Sequence, residues 1–168
     1  KSHIVAALLL HYALTHPGVN IGVVGPSWRQ TKLVIRRINS FLRKLPEGCY
    51  EKPQRTIVRL WKGSVIEAFP NNPETIRGPT LHVVYADEFN FIPNDEEMYD
   101  AIMFTLATTA GKFVCSSTPW TTDSIFYKIC THPDYADFAR SHVTWRDSVE
   151  PKGPLKQDWL EKIRRQLA

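Results

Sequence analysis

The chain has 168 residues, a formal net charge of +4 at pH 7 and a hydrophobic content of 43%, which together are typical of one soluble domain that buries a core. Its longest apolar run, residues 4–10, is far shorter than the roughly 20 residues of a membrane-spanning helix. Cys49, Cys115 and Cys130 are widely spaced, which argues against a zinc site. We therefore expect an intracellular protein with reduced thiols, and its pI near 9.0 permits contact with nucleic acid.

Three elements are predicted in the first quarter of the chain. Residues 2–15 are apolar nearly all round at helical spacing and precede Pro17 and Gly18, which predicts a largely buried helix. Residues 20–25 predict a short strand. Residues 27–45 predict a second helix with one apolar and one basic face, and the basic face suits DNA phosphates or is simply solvated. This basic face, the basic ridge, consists of Arg29, Lys32, Arg36 and Arg43.

The next segment predicts a β-hairpin. Residues 56–61 and 64–69 are strand-like runs on either side of a Lys-Gly pair, and such a pattern is typical of two antiparallel strands. The hairpin is expected to add an antiparallel edge to a sheet. Residues 70–79 follow as a polar loop with three prolines.

Two apolar runs in the middle of the chain predict the centre of that sheet. Residues 81–86 and 113–117 have the composition of strands that are buried on both faces. Between them, residues 95–108 predict a helix that Asn94 caps and that begins with acidic residues. This succession is a β-α-β crossover, so we expect an α/β fold with a mostly parallel central sheet flanked by helices.

The last quarter of the chain completes the predicted elements. Residues 124–131 predict a helix and residues 139–145 a last strand. A linker and a charged helix over residues 155–167 are predicted within residues 151–168. The compact core is expected to span residues 1–150.

Two adjacent acids, Asp87 and Glu88, follow the buried strand predicted over residues 81–86. Open α/β sheets bind ligands in the crevice at the carboxyl ends of their strands. An aspartate there can hold Mg²⁺, and a glutamate can polarise the water that attacks a γ-phosphate. The pattern indicates a Walker B motif, and the alternative is a strand that ends in two solvated acids.

Lys1 and Ser2 open the chain directly before the first predicted helix. They match the last two residues of the phosphate-binding motif G-x-x-x-x-G-K-[ST]. In that loop the lysine reaches the β- and γ-phosphates, the hydroxyl coordinates Mg²⁺, and the helix amino end favours anions. The pair gains this meaning only beside Asp87 and Glu88. Because the glycines of the motif do not precede Lys1 in this sequence, we expect the chain by itself to bind and hydrolyse ATP poorly.

Small hydroxyl residues follow the second buried strand. Ser116, Ser117 and Thr118 stand about thirty residues beyond the two acids, at the neighbouring strand end, where their side chains could sense a γ-phosphate. The alternative is an ordinary strand-to-loop turn, since Ser, Thr and Pro are turn residues.

In this order and spacing the chain resembles the ATPase domain of the terminase large subunit, the motor of viral DNA packaging. The resemblance covers nearly the whole chain, and it rests on KSHIVAALLLHYALTHPGVNIGVVGPSWRQ, WKGSVIEAFPNN, ETIRGPTLHVVYADEFNFI, GKFVCSSTPW and HVTWRD. The IRG and SSTPW segments are more specific than the Walker motifs, which many helicases share. The resemblance implies a P-loop NTPase fold of the RecA-like (ASCE) class.

The resemblance also implies roles for single residues at the nucleotide. Lys1 and Ser2 would end the Walker A motif. Asp87 and Glu88 would form Walker B, with Ser2 and Asp87 at the Mg²⁺ ion and Glu88 as the catalytic glutamate.

Further roles are implied for residues around the nucleotide. Ser116 to Thr118 would be the coupling motif that links hydrolysis to DNA movement, with Ser117 and Thr118 close to the nucleotide. Arg77 falls on the position of an arginine that, in some members, completes the active site of a neighbouring subunit as an arginine finger. The alternative for Arg77 is a structural or solvated arginine.

The resemblance implies a motor that uses ATP and Mg²⁺ to drive double-stranded DNA into a viral procapsid, in the cytoplasm of the host cell. The implied partners are double-stranded DNA, the portal protein, the small terminase subunit and further copies of the chain in a ring. Residues 1–150 would be the ATPase core, beginning inside Walker A, and residues 151–168 would lead toward a nuclease domain. Two alternatives are a superfamily 2 helicase-like DNA translocase and a non-catalytic P-loop module for assembly.

Overall fold

The computed structural model describes residues 1–167, and the chain divides into two compact units, Lys1–Asp134 and Tyr135–Ala168. The first unit is a sheet with helices. Its strands are β1 Asn20–Val24, β2 Ile57–Arg59, β3 Val65–Ala68, β4 Val83–Asp87 and β5 Lys112–Ser116. Its helices are α1 Ser2–Thr15, α2 Trp28–Leu42, α3 Pro73–Ile76, α4 Asp95–Ala107 and α5 Ile125–Thr131. The second unit contains α6 Gln157–Leu167.

The sheet has the strand order β2-β3-β1-β4-β5. Strands β3, β1, β4 and β5 run parallel to one another, and β2 pairs antiparallel with β3 at one edge. The predicted α/β fold, its hairpin edge and the β-α-β crossover from β4 through α4 to β5 are therefore confirmed. The register sets Asp87 directly beside Ser116, so the carboxyl ends of β4 and β5 meet.

Strands β4 and β5 differ in burial. All five residues of β4 are buried, and burying each valine contributes about 1.5–3 kcal/mol of folding free energy. This burial fixes the strand that carries Asp87. The prediction that residues 113–117 are buried on both faces is wrong, because β5 is the outermost strand of the sheet and its last four residues are only half-buried.

Helix α1 has its predicted bounds but not its predicted burial. Ala6, Leu9 and Ala13 lie in the core. However, the side chains of Ile4 and Leu8 are exposed by 76% and 53% of their surfaces. The sheet covers only one face of the helix, which an evenly apolar sequence does not reveal.

Helix α2 confirms the predicted amphipathic pattern. Ser27 caps its amino end by accepting a hydrogen bond from the Gln30 backbone N–H. Its apolar face is buried in the core through Val34, Ile38 and Leu42. The helix ends three residues earlier than the sequence predicts.

Two local expectations for the first unit are wrong. The predicted loop at residues 70–79 contains the short helix α3, because Asn72 caps it and Pro73 occupies its first turn. Asn94 precedes α4 but makes no side-chain capping hydrogen bond, since its backbone (φ −110°, ψ 52°) lies outside the extended region of a capping residue.

The second unit lacks the predicted strand over residues 139–145. The Asp147 carboxylate accepts hydrogen bonds from both the backbone N–H and the hydroxyl of Thr144, at 2.8 Å and 2.6 Å. These bonds cap a short 3₁₀ helix at Trp145–Ser148, which takes the place of extended pairing. Across residues 1–167, no helix is both long enough and apolar enough to cross a membrane.

Candidate active site

The carboxyl ends of β4 and β5 and the amino end of α1 bring seven polar residues together. Asp87 is the last residue of β4 and is 95% buried, with 5% of its surface exposed. The seven residues, called the strand-end cluster below, are Lys1, Ser2, Asp87, Glu88, Ser116, Ser117 and Thr118.

Ser2 and Asp87 meet although 85 positions separate them in sequence. The Ser2 hydroxyl lies 3.3 Å from Asp87 Oδ1 and 3.4 Å from Oδ2. Ser2 is in the first turn of α1, where backbone N–H groups favour anions. A hydroxyl and a carboxylate oxygen therefore stand together at a helix amino end, and both are ligands that suit Mg²⁺.

Lys1 contacts the other acid of the pair. Its ammonium Nζ lies 2.7 Å from Glu88 Oε1 and donates to Thr118 Oγ1 at 3.1 Å. The side chains of Lys1 and Glu88 keep 37% and 22% of their surface exposed. One cation thus links the end of β4 to the loop that follows β5.

Glu88 has a left-handed backbone. Its φ of 50° and ψ of 48° are unusual for a residue with a side chain, and such a conformation costs about 1–3 kcal/mol, a strain common at functional sites. Its Oε2 accepts from the Thr118 backbone N–H at 3.0 Å and from the Ser117 hydroxyl at 3.5 Å. The turn and these bonds hold the carboxylate over the end of β5.

The pKa of the Glu88 carboxyl is lowered. Burial is the largest single influence and raises the pKa, but the hydrogen bond from Lys1, the backbone bond from Thr118 and the charge of Lys1 together lower it by more. Glu88 is therefore ionised at neutral pH and can only accept hydrogen bonds.

Tyr85 and Asn90 belong to the same site, and sequence reasoning missed both. Tyr85 is fully buried, and its hydroxyl donates to Asp87 Oδ1 at 2.7 Å. Burial raises the pKa of Tyr85 well above its usual value, and the hydrogen bond with Ser116 offsets this only in part, so the phenol stays a neutral donor. A period-2 reading of the strand could have found Tyr85, because residues i and i+2 share one face.

Asn90 ties the turn after Glu88 to the segment after β5. Its backbone N–H donates to Ser117 Oγ at 3.1 Å, and its amide nitrogen donates to the Thr121 carbonyl at 3.3 Å. Its side-chain oxygen is buried and has no hydrogen-bond partner among residues 1–167. These bonds connect the two halves of the strand-end cluster.

Arg77 lies outside the strand-end cluster. It forms an ion pair with Glu74 of α3 and is 51% exposed. It lines an open cavity of about 490 Å³ together with Phe104 and Thr105, near the carboxyl end of α4. At 1.5 Å per residue, Thr105 stands about 15 Å along that helix from its start, and the start is the end that follows Glu88 in the chain.

The basic ridge also lies apart from the strand-end cluster. Three of its arginines are exposed, and Lys32 is half-buried with its ammonium 5.6 Å from the centre of the Trp28 ring. Within the described part of the chain none of the four residues forms an ion pair with an acid. Their charge is directed to solvent.

Comparisons with known proteins follow this geometry. The family model described as "Terminase large subunit, T4likevirus-type, N-terminal" matches residues 1–165. The large terminase ATPase domain of Thermus phage P74-26 has a similar structure, with a TM-score of 0.62 at 22% identity over 71% of this chain and 55% of that one. An arginine-to-alanine mutant of that domain is similar as well, with a TM-score of 0.65.

A full large terminase from a thermophilic bacteriophage gives a TM-score of 0.71 at 18% identity, over 95% of this chain and 40% of that one. Another structure of that terminase, in complex with ADP, gives 0.70 at 16% identity with the same coverage. This chain thus spans roughly half or less of the proteins it matches. These likenesses confirm the predicted fold, and the family model shows that the chain belongs to the terminase large subunit family, in its T4likevirus-type N-terminal region.

Proposed function

We propose that the chain is the ATP-hydrolysing motor domain of a terminase large subunit and drives double-stranded DNA into a procapsid. The observation that carries the proposal is the strand-end cluster, in which Lys1 and Ser2 meet Asp87 and Glu88 across more than 80 positions of sequence. Solved relatives that are named ATPase domains, and one that holds ADP, support a nucleotide as the ligand.

The donors at the start of α1 fit a nucleotide with a divalent cation. Lys1 supplies a positive charge for phosphates, and Ser2 Oγ and the Asp87 carboxylate supply two oxygen ligands of the kind that Mg²⁺ prefers. When bound, Mg²⁺ would neutralise charge that develops on the phosphates. Ser2 and Asp87 are the residues we assign to it.

Glu88 is assigned to the attacking water. Phosphates would compete with Glu88 for the Lys1 ammonium, which now lies 2.7 Å from Oε1. Once Lys1 turns to phosphate, Oε1 can accept a proton from water, while the Thr118 N–H keeps Oε2 in place. The lowered pKa of Glu88 supports this role, because the carboxylate is ionised and ready to accept.

Ser117 and Thr118 are assigned to coupling. Thr118 contacts Lys1 through its hydroxyl and Glu88 through its backbone N–H, and Ser117 contacts Glu88 through its hydroxyl. Any rearrangement of Lys1 or Glu88 during the reaction therefore changes the bonds that hold the segment after β5. This segment is the part of the chain that we propose transmits hydrolysis to DNA.

The remaining assignments reach beyond one chain. We assign Arg77 to the active site of a neighbouring subunit in a ring, and the basic ridge to DNA phosphates. The portal protein and the small terminase subunit are proposed as further partners, and the host-cell cytoplasm as the location. Residues 1–150 are proposed as the ATPase core and residues 151–168 as the link toward a nuclease domain.

Family membership favours a terminase over a superfamily 2 helicase. A non-catalytic assembly module is disfavoured by the backbone strain at Glu88, because an assembly role gives no reason to hold a carboxylate in that conformation.

The test uses the full-length large subunit. Lys1→Ala should weaken binding of a fluorescent, non-hydrolysable ATP analogue by at least tenfold and abolish ATP turnover, because it removes the phosphate-binding charge. Lys44→Ala, which removes an exposed lysine at the end of α2, is the matched control and should change neither. Unchanged analogue affinity in Lys1→Ala would contradict the proposed site.

A further inference from the structure

The Tyr85 hydroxyl is at the centre of three hydrogen bonds that the proposed function leaves without a purpose. It donates to Asp87 Oδ1 at 2.7 Å and lies 2.8 Å from Ser116 Oγ, which itself lies 3.2 Å from the same Oδ1. Tyr85 has no exposed surface, so water does not compete for these bonds. Because residues i and i+2 of a strand share a face, β4 carries the phenol on the side of its own terminal carboxylate.

The available protons fix how this group is ordered. The Asp87 carboxylate only accepts, so the Tyr85 proton goes to Oδ1, and the Ser116 hydroxyl is left to donate to Tyr85 or to Oδ1. Oδ1 is therefore held from the interior by neutral donors on two strands. Oδ2 has only the longer contact with Ser2, at 3.4 Å, so the two carboxylate oxygens are not equivalent.

We propose that Tyr85 is a positioning residue for a divalent cation: its buried hydroxyl fixes Asp87 through Oδ1, so that Oδ2 and Ser2 Oγ are presented as the ligand pair. This inference rests on the proposed function, which assigns Ser2 and Asp87 to Mg²⁺. Hydrogen-bond partners of metal ligands orient those ligands, and removing one typically lowers metal affinity 10- to 100-fold. Through Ser116, the same hydroxyl joins the metal ligand to the start of the coupling segment.

The experiment measures how strongly Mg²⁺ improves nucleotide binding by the full-length large subunit. The affinity for a fluorescent, non-hydrolysable ATP analogue is measured with Mg²⁺ and again with EDTA, and the ratio is the metal enhancement. Tyr85→Phe, which keeps the ring, should lower this enhancement about tenfold and leave the EDTA affinity and the melting temperature close to wild type. Ser116→Ala should lower it less, because the bond from Tyr85 to Asp87 remains.

Two controls make the result decisive. Tyr12→Phe, on a half-buried tyrosine of α1, should retain the full enhancement, and Asp87→Asn should abolish it. If Asp87→Asn abolishes the enhancement but Tyr85→Phe retains it, the positioning role is wrong and the proposed function stands. If Tyr85→Phe weakens binding equally with and without Mg²⁺, its role is structural and the inference fails.

Two further outcomes are also decisive. If Asp87→Asn retains the enhancement, the metal site and this inference fail together. If Tyr85→Phe does not fold, Ser116→Ala decides the matter, and an undiminished enhancement in that variant overturns the inference.

Discussion

The strand-end cluster and the Arg77 surface differ in how their charges are paired. Lys1 and Glu88 are partly buried, and backbone and hydroxyl groups of the next strand end hold them as well. Arg77 and Glu74 are 51% and 71% exposed, and such an exposed pair contributes only about 0–1 kcal/mol of stability. The cluster is thus completed within one chain, whereas Arg77 can exchange its partner at little cost, as a residue that acts on another subunit must.

The sharpest way to break this comparison is to neutralise the acid at the centre of the cluster. Glu88→Gln keeps the shape of the side chain but removes the group assigned to the attacking water. ATP turnover of the full-length subunit should fall by about 10²- to 10⁴-fold, while binding of the non-hydrolysable analogue persists. Steady-state ATPase assays together with binding titrations measure both quantities.

The outcome of Glu88→Gln separates the two explanations of the cluster. Turnover near the wild-type rate would mean that Lys1 and Glu88 form a structural ion pair and no catalytic site. Glu96→Gln is the matched control, because Glu96 is an exposed acid that pairs with Lys128, and it should leave turnover unchanged.

The Arg77 surface is tested by its dependence on assembly. Arg77→Ala should abolish the ATPase activity that appears when subunits assemble, a loss on the order of 10³-fold for an arginine finger, and should spare nucleotide binding and the basal rate. Arg59→Ala is the matched control, since Arg59 is also exposed and lies near a glutamate, Glu51. Its assembly-stimulated rate should equal wild type.

Mixing two inactive variants distinguishes action in trans from action in cis. In a ring of Arg77→Ala and Glu88→Gln subunits, some interfaces join an intact Arg77 to an intact Glu88, so partial activity should return. If the mixture stays inactive while rings demonstrably form, Arg77 acts within its own subunit or supports only its loop.

The contrast between the two regions also explains what the sequence could predict. Long periodic segments such as α1 and α2, and the buried strand β4, have bounds that a hydrophobic pattern defines within a few residues. The pairing of Ser2 with Asp87 could be expected only from a motif, because no local rule joins residues 85 positions apart.

Features that depend on neighbours escaped the sequence. The exposure of Ile4 depends on which face of α1 the sheet covers. The absence of a strand before Trp145 depends on the capture of Thr144 by Asp147. The role of Tyr85 depends on the register of β4 with β5. In each case the pattern identified an apolar or strand-like residue, and the tertiary contact decided what it does.

The basic ridge extends the comparison to DNA. If Arg36 and Arg43 each contact one phosphate, replacing both with alanine should weaken double-stranded DNA binding several-fold at moderate salt. The slope of log affinity against log salt should become less steep by about 2, because each contact releases about 0.9 counterion. Arg55→Ala, at an exposed arginine outside the ridge, is the control, and an unchanged slope in the double variant would mean that the ridge is merely solvated.

The smallest expected effect is a change in the titration of one carboxyl group, and it measures the pairing inside the cluster directly. In nucleotide-free and metal-free protein, the pKa of Glu88 should lie below that of an ordinary glutamate. Lys1→Met removes the hydrogen bond and the charge that lower this pKa, while burial, which raises it, remains. The pKa of Glu88 should therefore rise in the variant, as followed by NMR of a labelled carboxyl group.

The sign of the linkage gives a second measurement of the same pairing. A carboxyl group whose pKa is lowered by folding stabilises the folded state above its unfolded pKa, and this contribution is lost as the pH falls through the folded pKa. Wild type should therefore lose stability on acidification partly through Glu88, whereas Lys1→Met should lack this part of the pH dependence. A control at Lys44→Met should retain the wild-type profile. If Lys1→Met leaves both the pKa of Glu88 and the acid limb of stability unchanged, Lys1 and Glu88 are not paired in solution, and the cluster then differs from the Arg77 surface less than their contacts indicate.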